Sequence, residues 1–229
     1  SPLGTAVGET QNYGVLDFNG YSPVPAELVR LKVGASLINS SPTAVYFPGT
    51  IGAWAENGTT RNIIADSGAI RIAYVNFGGV DPYNWSFTLG GSGTSNNIID
   101  AIYLDRGNTV YKTGSGTWTI GYLRDQATTY GSAGIIVNGG TLISAGNDTS
   151  ANFYGPVTIN AGTLKLVATG ISAANGPLGR PNNGTTVTGT GGALDVNGYT
   201  LAYVEPLTLN GSGVANGGAA SVSGLLTTR

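Results

Sequence analysis

The sequence predicts an all-β fold, a parallel β-helix of about nine or ten stacked coils. Three observations lead there. Short β-rich stretches recur at intervals of roughly 22 residues. Gly makes up 38 of 229 residues, about 17% where ~7% is usual, so the chain turns often. Within each stretch apolar and polar residues alternate, which sends them to opposite faces of a strand.

The repeat has two levels. Gly14-Val15-Leu16-Asp17-Phe18-Asn19-Gly20-Tyr21 matches Gly192-Ala193-Leu194-Asp195-Val196-Asn197-Gly198-Tyr199 at an offset of 178. Pro2-Leu3-Gly4 pairs with Pro177-Leu178-Gly179 upstream, and Glu27 to Leu31 with Glu205 to Leu209 downstream. One domain is expected over residues 1–229, a unit of about 175 residues plus the start of a second. Ala26 to Leu31 reads as strand, because its counterpart contains Pro206, which a helix interior rejects.

Residues 46–108 are less regular and more aromatic. Beyond them the short repeat is plain. It runs through Val110 to Ile120, Ile135 to Ile143, Val157 to Leu166, Thr186 to Val196 and Leu207 to Val214. The turn glycines Gly116, Gly140, Gly162, Gly192 and Gly213 are 24, 22, 30 and 21 residues apart. Strands this short suit a triangular coil whose strands pair with those above and below. Val157, Ile159, Leu164 and Leu166 should face the core, with Thr158, Thr163 and Lys165 outward. Asn138 and Asn160 fit an amide ladder between coils, as do Asn19 and Asn197 at the long period. Gly176 to Gly184 reads as an insertion looped out at a corner. An antiparallel β-sandwich is the competing architecture, since it also uses short strands and frequent turns.

Composition narrows the chemistry. The chain has no His, Cys or Met. A Ser-His-Asp triad, a thiol nucleophile and thiolate or imidazole metal sites are therefore excluded within it. Ten basic residues are scattered against twelve acidic ones, net −2, so there is no basic stripe for nucleic acid. No apolar run reaches the ~18 residues that span a membrane. The chain opens at Ser1 without Met or a signal peptide, as a processed or excised piece would.

Lys112-Thr113-Gly114-Ser115-Gly116-Thr117-Trp118, Asn138-Gly139-Gly140-Thr141-Leu142, Asn160-Ala161-Gly162-Thr163-Leu164 and Leu194-Asp195-Val196-Asn197-Gly198 stand out together. Leu16-Asp17-Phe18-Asn19-Gly20 repeats the last, and Leu37-Ile38-Asn39-Ser40-Ser41 continues it. This set resembles the autotransporter-associated β-strand repeats of large secreted bacterial passenger proteins. The resemblance covers residues 109–216 best, 1–45 fairly and 46–108 weakly. It implies a right-handed β-helical stalk or passenger outside the cell, with no catalytic residues of the family's own.

Carboxylates remain the sole acid–base candidates. Some β-helices hydrolyse or cleave polysaccharides with paired Asp and Glu. Asp100 and Asp105, beside Tyr103 and Arg106, are the nearest approach to such a pair here. Asp17 and Asp195 hold equivalent repeat positions and read as turn ligands. No catalytic, cofactor or metal residues are assigned: the Gly-Gly-x-Gly-x-Asp calcium pattern is missing, and Asp81-Pro82 and Asn147-Asp148-Thr149 read as turns. Asn57, Asn84, Asn147 and Asn183 begin glycosylation sequons, which so Asn- and Thr-rich a chain produces by chance. Among the aromatics of the irregular portion, Trp54, Tyr83 and Trp85 are the candidate contacts for a glycan or a surface protein, with core filling as the alternative.

The expected function is structural: a secreted, surface-exposed stalk, fibre or filament module that associates head to tail. An adhesin or glycan-binding module is the alternative, and a polysaccharide-degrading enzyme the third. Stacked backbone hydrogen bonds and the lack of oxidisable Cys and Met suit persistence outside a cell.

Overall fold

A computed structural model describes residues 3, 8–24, 26–53, 60–77, 85–104, 107–125, 134–145, 153–168, 176–179, 184–188, 191–201, 206–210 and 220–221. All regular structure in them is β. In chain order the strands are β1 (Glu9–Asn12), β2 (Val15–Asp17), β3 (Leu28–Leu31), β4 (Ser36–Ile38), β5 (Val45–Ala53) and β6 (Asn62–Ile64). Then come β7 (Ile70–Asn76), β8 (Ser86–Gly90), β9 (Asn97–Leu104), β10 (Thr109–Lys112), β11 (Thr117–Ile120) and β12 (Leu123–Asp125). The last are β13 (Gly134–Ser144), β14 (Val157–Leu166), β15 (Thr185–Val187), β16 (Gly192–Asp195), β17 (Leu207–Leu209) and β18 (Ala220–Ser221).

Every pairing between them is parallel, which excludes the sandwich and establishes a β-solenoid. The strands form three walls, visited in the same order on each turn. The first wall stacks β1, β3, the later halves of β5, β7 and β9, and then β12. The second stacks β2, β4, β6, β8, β10, the early halves of β13 and β14, β15 and β17. The third stacks the early halves of β5, β7 and β9, then β11, the later halves of β13 and β14, β16 and β18.

About six turns carry a strand on the first wall, fewer than the nine or ten coils expected, although the second wall has nine rungs. Dividing length by period treats every segment as wall, whereas the first wall has no strand after Asp125 among the described residues. Beyond it irregular chain supplies core residues. Phe153 and Leu178 are each 3% exposed. The insertion predicted to loop out thus turns inward at Leu178, and a Cβ on Gly179 would lie 2.4 Å from the Phe153 ring.

Alternation builds the core. In β14, Val157, Ile159, Leu164 and Leu166 are buried, and Thr158, Thr163 and Lys165 are partly exposed, as their spacing predicts. Down the second wall one inward column reads Leu16, Leu37, Ile63, Leu89, Lys112, Val137, Ile159, Val187, Leu209. Each fully buried aliphatic side chain in it contributes ~1.5–3 kcal/mol. Within residues 26–31 the strand is β3, Leu28–Leu31.

The matching segments share local geometry but not position. Asn19 and Asn197 both take positive φ (44° and 49°), each followed by a positive-φ glycine. In both, the preceding Asp accepts the Asn backbone N–H at 2.8 Å. Yet Asp17 ends a strand of the second wall and Asp195 one of the third. The 178-residue repeat is therefore a strand-plus-turn cassette reused one wall out of phase, and Asn19 and Asn197 form no ladder with each other.

Candidate functional site

The corner between the second and third walls carries polar side chains tied rung to rung. Asp17 accepts hydrogen bonds from the backbone N–H and hydroxyl of Ser40. Asp66 receives the same two donors from Ser92. Farther along, the Asn160 amide donates to Asn138 Oδ1 at 2.9 Å, and the Thr188 hydroxyl donates to Asn160. The Asn138–Asn160 ladder is the one the sequence predicts. Hydrogen bonds from Ser40 hold the Asp17 carboxyl below the usual carboxylate range. Both carboxylates are committed to turns, as the sequence predicts for Asp17.

The corner also needs glycine. Gly140 and Gly162 have φ of 62° and 79°. A Cβ on either would lie 2.4 Å from the carbonyl oxygen of Gly116 or Gly140 in the coil before. The backbones stack too closely there for any side chain.

The Lys112-to-Trp118 motif is structural in this chain. Lys112 points inward and is fully buried. Its ammonium donates to the carbonyl oxygens of Thr113, Gly114 and Gly139, at 2.6, 3.2 and 3.0 Å. Burial pushes its pKa down to about 8. Trp118 is also fully buried, and its indole N–H donates to Gly90 O at 2.9 Å. Both side chains donate to corner carbonyls, and Gly90 O takes the indole in addition to the Ala65 backbone N–H. A lysine in an apolar slot of the alternation was the one available signal, and the sequence reading passed over it.

Of the three candidate contacts, Trp54 and Tyr83 lie outside the described residues. Trp85 is 6% exposed within the core, and its indole N–H has no partner among the described residues. Asp81, Asp105, Arg106 and Asn147 to Thr149 also lie outside them, as do Asn57, Asn84 and Asn183. Asp100 is placed: both its oxygens accept from Arg71 Nε at 3.1 Å. Arg71 in turn lies 5.4 Å from the Tyr46 ring centre.

The structure gathers aromatics that the sequence reading did not single out as a group. Tyr74, Tyr103 and Tyr122 form a strip on the outer face of the first wall. Their ring centres are 5.9 Å apart for the first pair and 5.6 Å for the second. Exposed Arg124 follows in the same outward column as Tyr103. Tyr74 and Tyr103 are 29 residues apart, so only the coil register brings them together.

Apolar exposure concentrates in the first coil, where Tyr13, Val15, Tyr21 and Val24 are 67–74% exposed. No protein-family profile, curated protein or solved structure matches the chain.

Proposed function

We propose that the chain is a structural module of a bacterial cell surface, a β-helical stalk or filament subunit that works outside the cell. One observation carries this reading: the second wall stacks in parallel register from β2 to β17, over a column that is aliphatic except for Lys112. A stack of this kind transmits force and sets distance with no need of a reactive group. The resemblance to passenger repeats supplies the surface location. Antibody labelling of intact source cells tests it. Label on unpermeabilised cells, lost after external protease, is the expected result. Label that appears only after permeabilisation contradicts it.

A glycan-binding adhesin is the second reading, favoured by the strip of Tyr74, Tyr103 and Tyr122. Neighbouring tyrosine rings, one pair stacked and one edge-to-face, beside an arginine suit sugar rings and their hydroxyls. Here Tyr74→Ala should abolish retention on a glycan array while leaving the β-sheet spectrum unchanged. Retention equal to that of the parent chain would remove this reading.

A further inference from the structure

We propose that the chain binds a second copy of itself through the two edges of the second wall, with Leu209 of one copy seated beneath Leu16 of the next. This rests on the structural-module reading and names its partner and register.

The second wall is the one whose strands run from the first coil to the last among the described residues. Among the described residues β2 pairs on one side, with β4, and β17 pairs on one side, with β15. The two open edges therefore face opposite ways along the same wall. An open parallel edge is a template for another strand of matching register. The chain carries that strand at its other edge, which is the argument for a second copy over an unrelated partner.

Side chains agree with the edges. Leu37, Ile63, Leu89, Val137, Ile159 and Val187 in the inward column are all 0% exposed. Its two ends are not: Leu16 is half-buried and Leu209 is 39% exposed. Placing Leu209 below Leu16 continues the column without a break. Register is fixed at the same time, because a one-residue slip would turn Leu209 outward and Thr208 inward. Val15 of one copy then stands beside Thr208 of the other, since both belong to the outward column that includes Ser36, Thr88 and Thr158. The contact joins unlike surfaces and does not close, so it propagates into filaments.

The absence of cysteine makes the test clean. Adjacent parallel strands lie ~4.8 Å apart, within the Cα span a disulfide accepts. Val15→Cys combined with Thr208→Cys should give covalent dimers and longer multimers on mild oxidation. Asp17→Cys with Thr208→Cys, two residues out of register, should give no covalent dimers. Leu209→Asp should abolish association of the uncrosslinked chain and keep its β-sheet spectrum. Equal crosslinking of both cysteine pairs, no crosslinking of the first pair, or association that survives Leu209→Asp would each overturn the proposal. Its failure is separable from that of the surface reading. Monomeric rods that label on intact cells would defeat stacking alone. Crosslinked filaments confined inside the cell would defeat the surface location alone.

Discussion

The coil of β10 and β11 and the coil of β14 occupy the same walls but fill them differently. In β14 the inward positions are Val157, Ile159, Leu164 and Leu166. Two turns earlier in the chain, the same columns hold Val110, Lys112, Trp118 and Ile120, all buried. The first set needs nothing but exclusion of water. The second buries an ammonium and an indole N–H, and succeeds because corner carbonyls stand within hydrogen-bond reach. An inward slot near a corner therefore tolerates a donor where mid-wall slots take hydrocarbon.

The largest test of that contrast removes Trp118. Trp118→Ala leaves a cavity and takes one of two donors from Gly90 O, which keeps the Ala65 N–H, and should cost ~3–5 kcal/mol, read as a fall in the urea midpoint. Leu164→Ala, its counterpart two coils on, removes hydrocarbon alone and should cost ~2–5 kcal/mol. A smaller loss at Trp118 than at Leu164 would break the comparison.

Lys112 sharpens it through pH. Its folded pKa of about 8 lies below the ordinary 10.5. Below pH 8 the ammonium is charged in both states and the folded state bears the cost of burying it. As pH rises from about 8 to 10.5, the folded state has released a proton that the unfolded chain still binds, so stability rises. The gain is of the order of 3 kcal/mol, at ~1.4 kcal/mol per pH unit. Lys112→Met should lack this gain when its stability is followed over the same range beside the parent chain. Identical pH profiles would contradict the buried-ammonium account.

Smaller effects belong to the outer surface. Asn160→Ala breaks both the bond to Asn138 and the one from Thr188, at ~1 kcal/mol, measurable as a shift in the melting temperature. Asp100→Asn loosens an exposed ion pair with Arg71 and should change stability by less than ~1 kcal/mol, less still at high salt.

Much of this was legible in the sequence, for physical reasons. The alternation in Val157 to Leu166 reports directly on burial, because a strand has a period of two. Asn138 and Asn160 announced a ladder because equal side chains at one coil spacing must stack. Asp17 and Asp195 were read as turn ligands, and each accepts its own Asn N–H. Phase was not legible. A strand-plus-turn cassette has the same sequence on whichever wall it lies, so the long repeat gave no sign that its copies sit one wall apart. Nor did composition show that irregular chain around Phe153 and Leu178 would take over from the first wall. The candidate contacts rest on the crowding of aromatics in one irregular stretch, which does not say which rings the register turns outward. Trp85 is spent on the core, whereas Tyr74, Tyr103 and Tyr122 become neighbours only through the register of separate coils.

The walls, the core column and the corner ladders all require parallel stacking in register, and nuclear magnetic resonance reads it directly. Interstrand contacts between α and amide protons should link Ile136 to the strand of Thr158, and Thr158 to the strand of Thr186. The account predicts those links and none between the two halves of β14. Close α-proton pairs between residues 157–159 and 163–166, folded back as a hairpin about Ala161, would contradict it.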